Sequence, residues 1–344
     1  MIDRRMVLGG AGALAALAAT PAWPRSAQRL PRSTRKPPRL TIGDTVGVVS
    51  PASTLSTDDG LDRAEHWIRG MGLVPKFGPN AGGRFGYLAG TDEQRAADLN
   101  AAYADPAVKA VFAVRGGWGG ARILPLLDWN TIRANPKLLI GFSDVTALHL
   151  AFAARAGFAT IHGGNATSSW RKLSWESLWR LAFAADTPTL GGAEVEAEAG
   201  RPGRTIRGGV ARGRLLGGNM TILSTLMGTG WLPDMKGAIL FLEDVNEAEY
   251  RVDRMFQQLK LAGVLDGLAG IVFGQCTSCA STEPDYAGFT LDQLIDHYCA
   301  PLGIPAVTGF NTGHIGNQLS LPSGAKVELD GDARTIRVLE AVVG

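Results

Sequence analysis

From residue 41 onward the chain alternates short apolar runs with stretches whose apolar residues recur every three or four positions, the pattern of strands covered by helices. Val46 to Ser50 reads as the first strand, and Leu61, Ala64, Trp67 and Ile68 mark the inner face of the helix after it. Leu73-Val74 opens a second strand. Thr91 to Ala104 reads as the next helix, with Thr91 as its cap and Glu93-Gln94 in its first turn. Val108 to Val114 is a third strand, Leu138 to Phe142 a fourth and Ala159 to His162 a fifth, with an apolar helix from Val145 to Ala156 between the last two. This alternation predicts a doubly wound, parallel-sheet (flavodoxin-like) α/β domain over residues 39–165, with its site at the carboxyl ends of the strands.

The pattern then changes. A helix around Trp175 to Ala184 and a polar Gly/Glu/Pro stretch make residues 166–205 read as a connecting segment. Beyond it, Gly208 to Leu216, Ala238 to Leu242, Ile271 to Phe273 and Lys326 to Leu329 read as strands, and Arg251 to Ala262 as a strong helix. Their order predicts a second, mixed α+β domain over residues 206–344.

At the amino end, Asp3-Arg4-Arg5-Met6 precede a run of small and aliphatic residues from Val7 to Thr20, and Thr20-Pro21-Ala22 offers the small residues a signal peptidase needs. Paired arginines before such a run read as a twin-arginine-type signal peptide over residues 1–22, with a Pro/Arg/Ser-rich linker over 23–38. The run is shorter than the roughly 20 apolar residues that span a bilayer. The expectation is an exported, periplasmic protein with no stable membrane insertion once the signal is removed.

Composition narrows the partners. A chain of 344 residues with 45% apolar content can bury two ordinary cores. Its 34 basic and 32 acidic residues are not gathered into blocks, which gives no reason to expect nucleic acid. The three cysteines, Cys276, Cys279 and Cys299, include a C-x-x-C pair, but no second pair or histidine cluster completes a metal site. Three non-catalytic thiols around a polar loop are expected, with a local or Cys299 disulfide left open.

Candidate chemistry sits at strand ends. Ser143 directly follows a strand and directly precedes a helix, the setting of a nucleophile elbow, although Val145 stands where G-x-S-x-G would have its second glycine. A helix-capping serine would occupy the same place. The turn Arg115-Gly116-Gly117-Trp118-Gly119-Gly120 follows the neighbouring strand and offers unobstructed N–H groups for an oxyanion, or simply tight packing. It lacks the residues of a P-loop or dinucleotide fingerprint. Glu243-Asp244 closes a strand and reads as a carboxylate site or a helix cap; His314 lies in a turn-rich segment. His66, His149, His162 and His297 are weaker candidates, and only His162 also ends a strand.

Five segments, taken in order, resemble the LD-carboxypeptidase family, which includes the microcin C immunity-type hydrolases. They are Ala113 to Gly119, Leu139 to Ala147, Gly217-Gly218-Asn219, Leu240 to Glu247 and Thr308 to His314, and the resemblance runs from about residue 40 to 340. It implies a serine peptidase with Ser143 as nucleophile, His314 as base and Glu243 as its partner. It further implies a swivelling, β-barrel-like second domain carrying Glu243 and His314, a homodimer, no cofactor and no metal. The implied substrate is a murein tetrapeptide, cut before its terminal D-alanine. Gly117 and Asp144 are then the candidate oxyanion donors, and Arg251 or Arg254 the candidates to pair with the substrate carboxylate. Trp118 stands where the family often has tyrosine, and Gly164-Asn165 where it often has proline. The competing readings are an immunity-type hydrolase of peptidyl or aminoacyl nucleotide analogues and a non-catalytic exported peptide-binding protein.

Overall fold

The computed structural model describes residues 36–283 and 285–344; the signal-peptide reading of 1–22 and nearly all of the 23–38 linker lie outside them. In chain order the first five strands are β1 (Thr45–Val49), β2 (Val74–Phe77), β3 (Val108–Ala113), β4 (Leu138–Gly141) and β5 (Thr160–His162). They pair in parallel in the order β5-β4-β3-β1-β2, the doubly wound arrangement the sequence predicts. Residues of β3 and β4 are almost wholly buried because helices cover both faces, which is why these strands read as continuous apolar runs. The helix Asp92–Ala104 starts with a complete capping box, in which Thr91 and Gln94 exchange side-chain and backbone bonds.

The remaining strands are β6 (Thr189–Gly191), β7 (Arg204–Arg207), β8 (Val210–Asn219), β9 (Ile239–Val245), β10 (Gly270–Thr277), β11 (Ala306–Thr308), β12 (Leu321–Ser323), β13 (Lys326–Asp330) and β14 (Thr335–Val338). All except β12 form an eight-stranded curled sheet, ordered β6-β14-β13-β8-β9-β10-β11-β7. Its centre, β8-β9-β10-β11, is parallel and its flanks are antiparallel. The segment read as a connection therefore contributes β6 and β7 to the margins of this sheet; both are too short and too half-exposed to show a strand pattern. Strand β12 leaves the second sheet altogether and adds to the first, antiparallel to β5.

The two lobes share their apolar interior. Leu216, Met220 and Leu223 of the second lobe fall in the same buried cluster as Leu148, Ala151 and Phe152 of the first. No helix among the described residues is long and apolar enough to cross a membrane.

Candidate active site

Because β4 and β9 are both central parallel strands, their carboxyl ends bring chemistry to one seam between the sheets. Ser143 follows β4 after one residue and has φ +65°, a left-handed conformation that costs a non-glycine residue on the order of 1–2 kcal/mol. A short 3₁₀ turn (Ser143–Val145) runs straight into the helix Thr146–Arg155, and neither element has a side-chain cap. The Ser143 hydroxyl is thus free of the capping role and lies 3.0 Å from His314 Nε2. His314 Nδ1 lies 2.7 Å from Glu243 Oε2. Glu243 lies in β9 two residues before its end, fully buried, and its Oε1 finds no partner among the described residues. Burial pushes its carboxyl above the usual range, and the imidazole beside it pulls the other way.

Glycines make this approach feasible. A Cβ on Gly116 would stand 2.7 Å from Ser143 Cβ and 3.0 Å from the Asp144 nitrogen, so Gly116 is the residue that lets the turn lie against the elbow. On Gly313, at φ +117°, a Cβ would come within 3.1 Å of Glu243 Oε2. The turn is braced from both sides. Trp118 donates its N–H to Ser53 Oγ at 2.9 Å, and Gly120 donates to Asp144 Oδ2 at 2.6 Å. The buried Asp144 carboxyl is raised by desolvation to about 6 despite these N–H bonds. Backbone N–H groups of Gly117 and Asp144, the sequence candidates for an oxyanion hole, donate to no group among the described residues.

Several residues have positioning roles that the sequence does not show. Asn165, at the departure from the family pattern, accepts the Phe142 N–H at 3.1 Å and so fixes the strand end before Ser143. His149 lies between the Gly141 carbonyl and Thr160 Oγ1, 2.8 Å from each, and burial depresses its pKa to about 4. It pins the same strand end as a neutral ring. His162 is also buried and driven neutral, against the rings of Phe142 and Phe241. Gly218 forms the dock between lobes: a Cβ there would meet Thr146 Oγ1 at 2.3 Å. Without one, Thr146 Oγ1 accepts the Asn219 N–H at 2.9 Å, and Asn219 Nδ2 donates to Asp244 Oδ1. Asp244 thus holds Asn219 and Thr221.

Arg251 and Arg254 lie on the helix Glu249–Leu261, their guanidinium groups over the Tyr250 ring, and Arg251 also pairs with Glu247 at 3.5 Å. Neither lines the cavity beside His314. Cys276 and Cys279 form a disulfide and Cys299 is free and buried. Thr277, between the bridged cysteines, donates from Oγ1 to the His314 carbonyl at 3.0 Å, and the Gln275 N–H donates to the Thr312 carbonyl at 2.9 Å. The described residues contain no cluster of His, Cys, Asp and Glu suited to a metal.

Comparison with known proteins agrees with this architecture. A solved structure of MccF in complex with glutamyl sulfamoyl guanosine matches with a TM-score of 0.79 at 25% identity, covering 90% of this chain and 99% of that one. The probable murein peptide carboxypeptidase of Bacillus subtilis is 35% identical over 90% of this chain and 95% of its own length. The murein tetrapeptide carboxypeptidase of Pseudomonas aeruginosa is 35% identical over 85% of this chain and 94% of its own. Residues 46–163 match the LD-carboxypeptidase N-terminal domain and residues 212–329 the LD-carboxypeptidase C-terminal domain. With both halves matched in order and the two sheets in place, the chain belongs to the LD-carboxypeptidase family of serine carboxypeptidases.

Proposed function

We propose that the protein hydrolyses the bond to the terminal D-alanine of murein tetrapeptides, with Ser143 as nucleophile, His314 as general base and Glu243 as its orienting carboxylate. The observation that carries this reading is the chain of hydrogen-bond distances from Ser143 Oγ through the imidazole to a buried carboxylate. His314 Nε2 takes the hydroxyl proton as Oγ attacks the scissile carbonyl carbon. The N–H groups of Gly117 and Asp144 hold the resulting oxyanion, each donor contributing about 3–4 kcal/mol at the transition state. His314 then gives its proton to the departing amine, leaving an ester on Ser143 that water cleaves by the same proton relay in reverse. Glu243 accepts from Nδ1 throughout, which fixes the tautomer and balances the imidazolium.

Disaccharide tetrapeptide incubated with the purified protein is expected to lose one alanine unit by mass, and a fluorophosphonate probe is expected to label Ser143. An intact peptide with a labelled serine would instead support hydrolysis of aminoacyl or peptidyl nucleotide analogues, the reading favoured by the match to MccF bound to glutamyl sulfamoyl guanosine. An unlabelled serine would support a peptide-binding protein. The murein reading also fits an export signal at residues 1–22, since the wall lies outside the cytoplasm; fusing that segment to a reporter that functions only after twin-arginine export tests it. A homodimer is the expected assembly, read by sedimentation.

A further inference from the structure

Beside the triad lies a cavity of about 290 Å³ whose walls include Phe142, Ser169, Ser174, His314 and Gln318, with no acidic, lysine or arginine side chain among them. Its position against His314 matters. The imidazole returns its proton to the leaving amine, so the residue attached to that amine occupies the space His314 borders. Resting on the carboxypeptidase reading, we propose that this cavity receives the substrate's free terminal carboxylate, held by neutral donors from Gln318 and Ser174.

Three observations converge on this. Gln318 is only 3% exposed and forms part of the cavity wall, and its Nε2, the amide atom able to donate to a carboxylate, donates to no group among the described residues. A buried amide left unsatisfied costs about 1–3 kcal/mol, and such groups in native proteins generally await a ligand or water. Ser174, 2% exposed, is the third residue of the 11-residue helix Lys172–Ala182, so the positive end of that helix meets the same wall. Its first N–H groups are already directed at Asn317 Oδ1, 3.0 Å from Leu173 N and 3.4 Å from Ser174 N, which leaves the Ser174 hydroxyl to meet the ligand. The arginines expected for this role lie elsewhere, over Tyr250. Arg171, which directly precedes the helix Lys172–Ala182, has its guanidinium carbon 3.7 Å from where a Cβ on Gly316 would be.

The test compares a tetrapeptide ending in a free carboxylate with the same peptide ending in a carboxamide. Wild-type protein is expected to favour the acid. Gln318→Glu places a negative charge against the carboxylate and is expected to raise KM for the acid about 100-fold, with kcat little changed and the amide untouched or improved. Ser174→Ala is expected to raise the same KM about fivefold. Gln318→Leu is read in parallel, so that misfolding of the glutamate variant decides nothing. Unchanged acid preference in these variants, or its loss only in Arg171→Ala, overturns the proposal. The same acid-to-amide ratio is measured as binding to Ser143→Ala protein. If wild type cleaves neither peptide the carboxypeptidase reading fails by itself, while discrimination in binding that Gln318→Glu removes still upholds the carboxylate site.

Discussion

The two lobes deliver their parts of the site by different means. The first lobe places Ser143 with its backbone: a left-handed residue between strand and helix, buttressed by a glycine turn that tolerates no Cβ at residue 116. The second lobe places Glu243 and His314 with side-chain bonds and burial, the carboxylate wholly enclosed and the imidazole one-fifth exposed. A site held by backbone geometry on one side and by a buried polar chain on the other should fail differently when each side is altered. Altering the first should cost activity through the placement of the hydroxyl, and altering the second through the tautomer and orientation of the imidazole.

The sharpest break is Ser143→Ala, which should lower D-alanine release by about 10⁶-fold while leaving the thermal midpoint unchanged or higher, because alanine still carries the strain but no function. Full retention of cleavage would end the triad reading. Next, Glu243→Gln should lower kcat about 10⁴-fold with little change in KM, since the imidazole loses its enforced tautomer; a stopped assay at saturating substrate reads this. Gly218→Ala tests the seam itself. Its Cβ would collide with Thr146 at a position with φ +133°, so the lobes must shift, and a displacement of about 1 Å costs on the order of 100-fold in kcat/KM.

A smaller effect concerns stability. The Asp144 carboxyl is raised from 3.8 to about 6 in the folded protein, so the native state holds a proton that the unfolded chain releases earlier. Its contribution is fully present below pH 3.8 and is lost as pH rises through about 6, an amount on the order of 3 kcal/mol. Denaturation of Asp144→Asn protein between pH 4 and 7 should lack that slope. The smallest expected change comes from replacing Cys276 and Cys279 with serine. Opening so short a loop costs about 2 kcal/mol, and activity should fall only severalfold through the loosened Thr277 contact to His314.

How much of this was legible differs between the lobes for the same physical reason. Strand β4, the elbow and the helix after it are contiguous, so apolar run, turn and apolar helix expose Ser143 to a local reading. Glu243 and His314 lie 71 residues apart and meet only through tertiary packing, so no local pattern marks them; the family resemblance did. Asn165 and Thr146 were unreadable, because an amide that accepts one N–H and a hydroxyl that accepts another look like any loop or helix residue until the lobes close. Strands β6, β7, β11, β12 and β14 have no counterpart in the sequence reading, because each is only three or four residues long, at a sheet edge or next to one. The parallel first sheet, built from buried strands with covering helices, was predicted in full order of appearance.

Strand β12 couples the mechanics of the whole chain. After β11 the polypeptide returns to the first sheet, lies along β5 for Leu321–Ser323, and leaves again for β13. The lobes are therefore laced together rather than strung on a single hinge. A protease nick between β5 and β6 would not release either half, and a truncation before residue 321 would strip an outer strand from one sheet and two interior-flanking strands, β13 and β14, from the other.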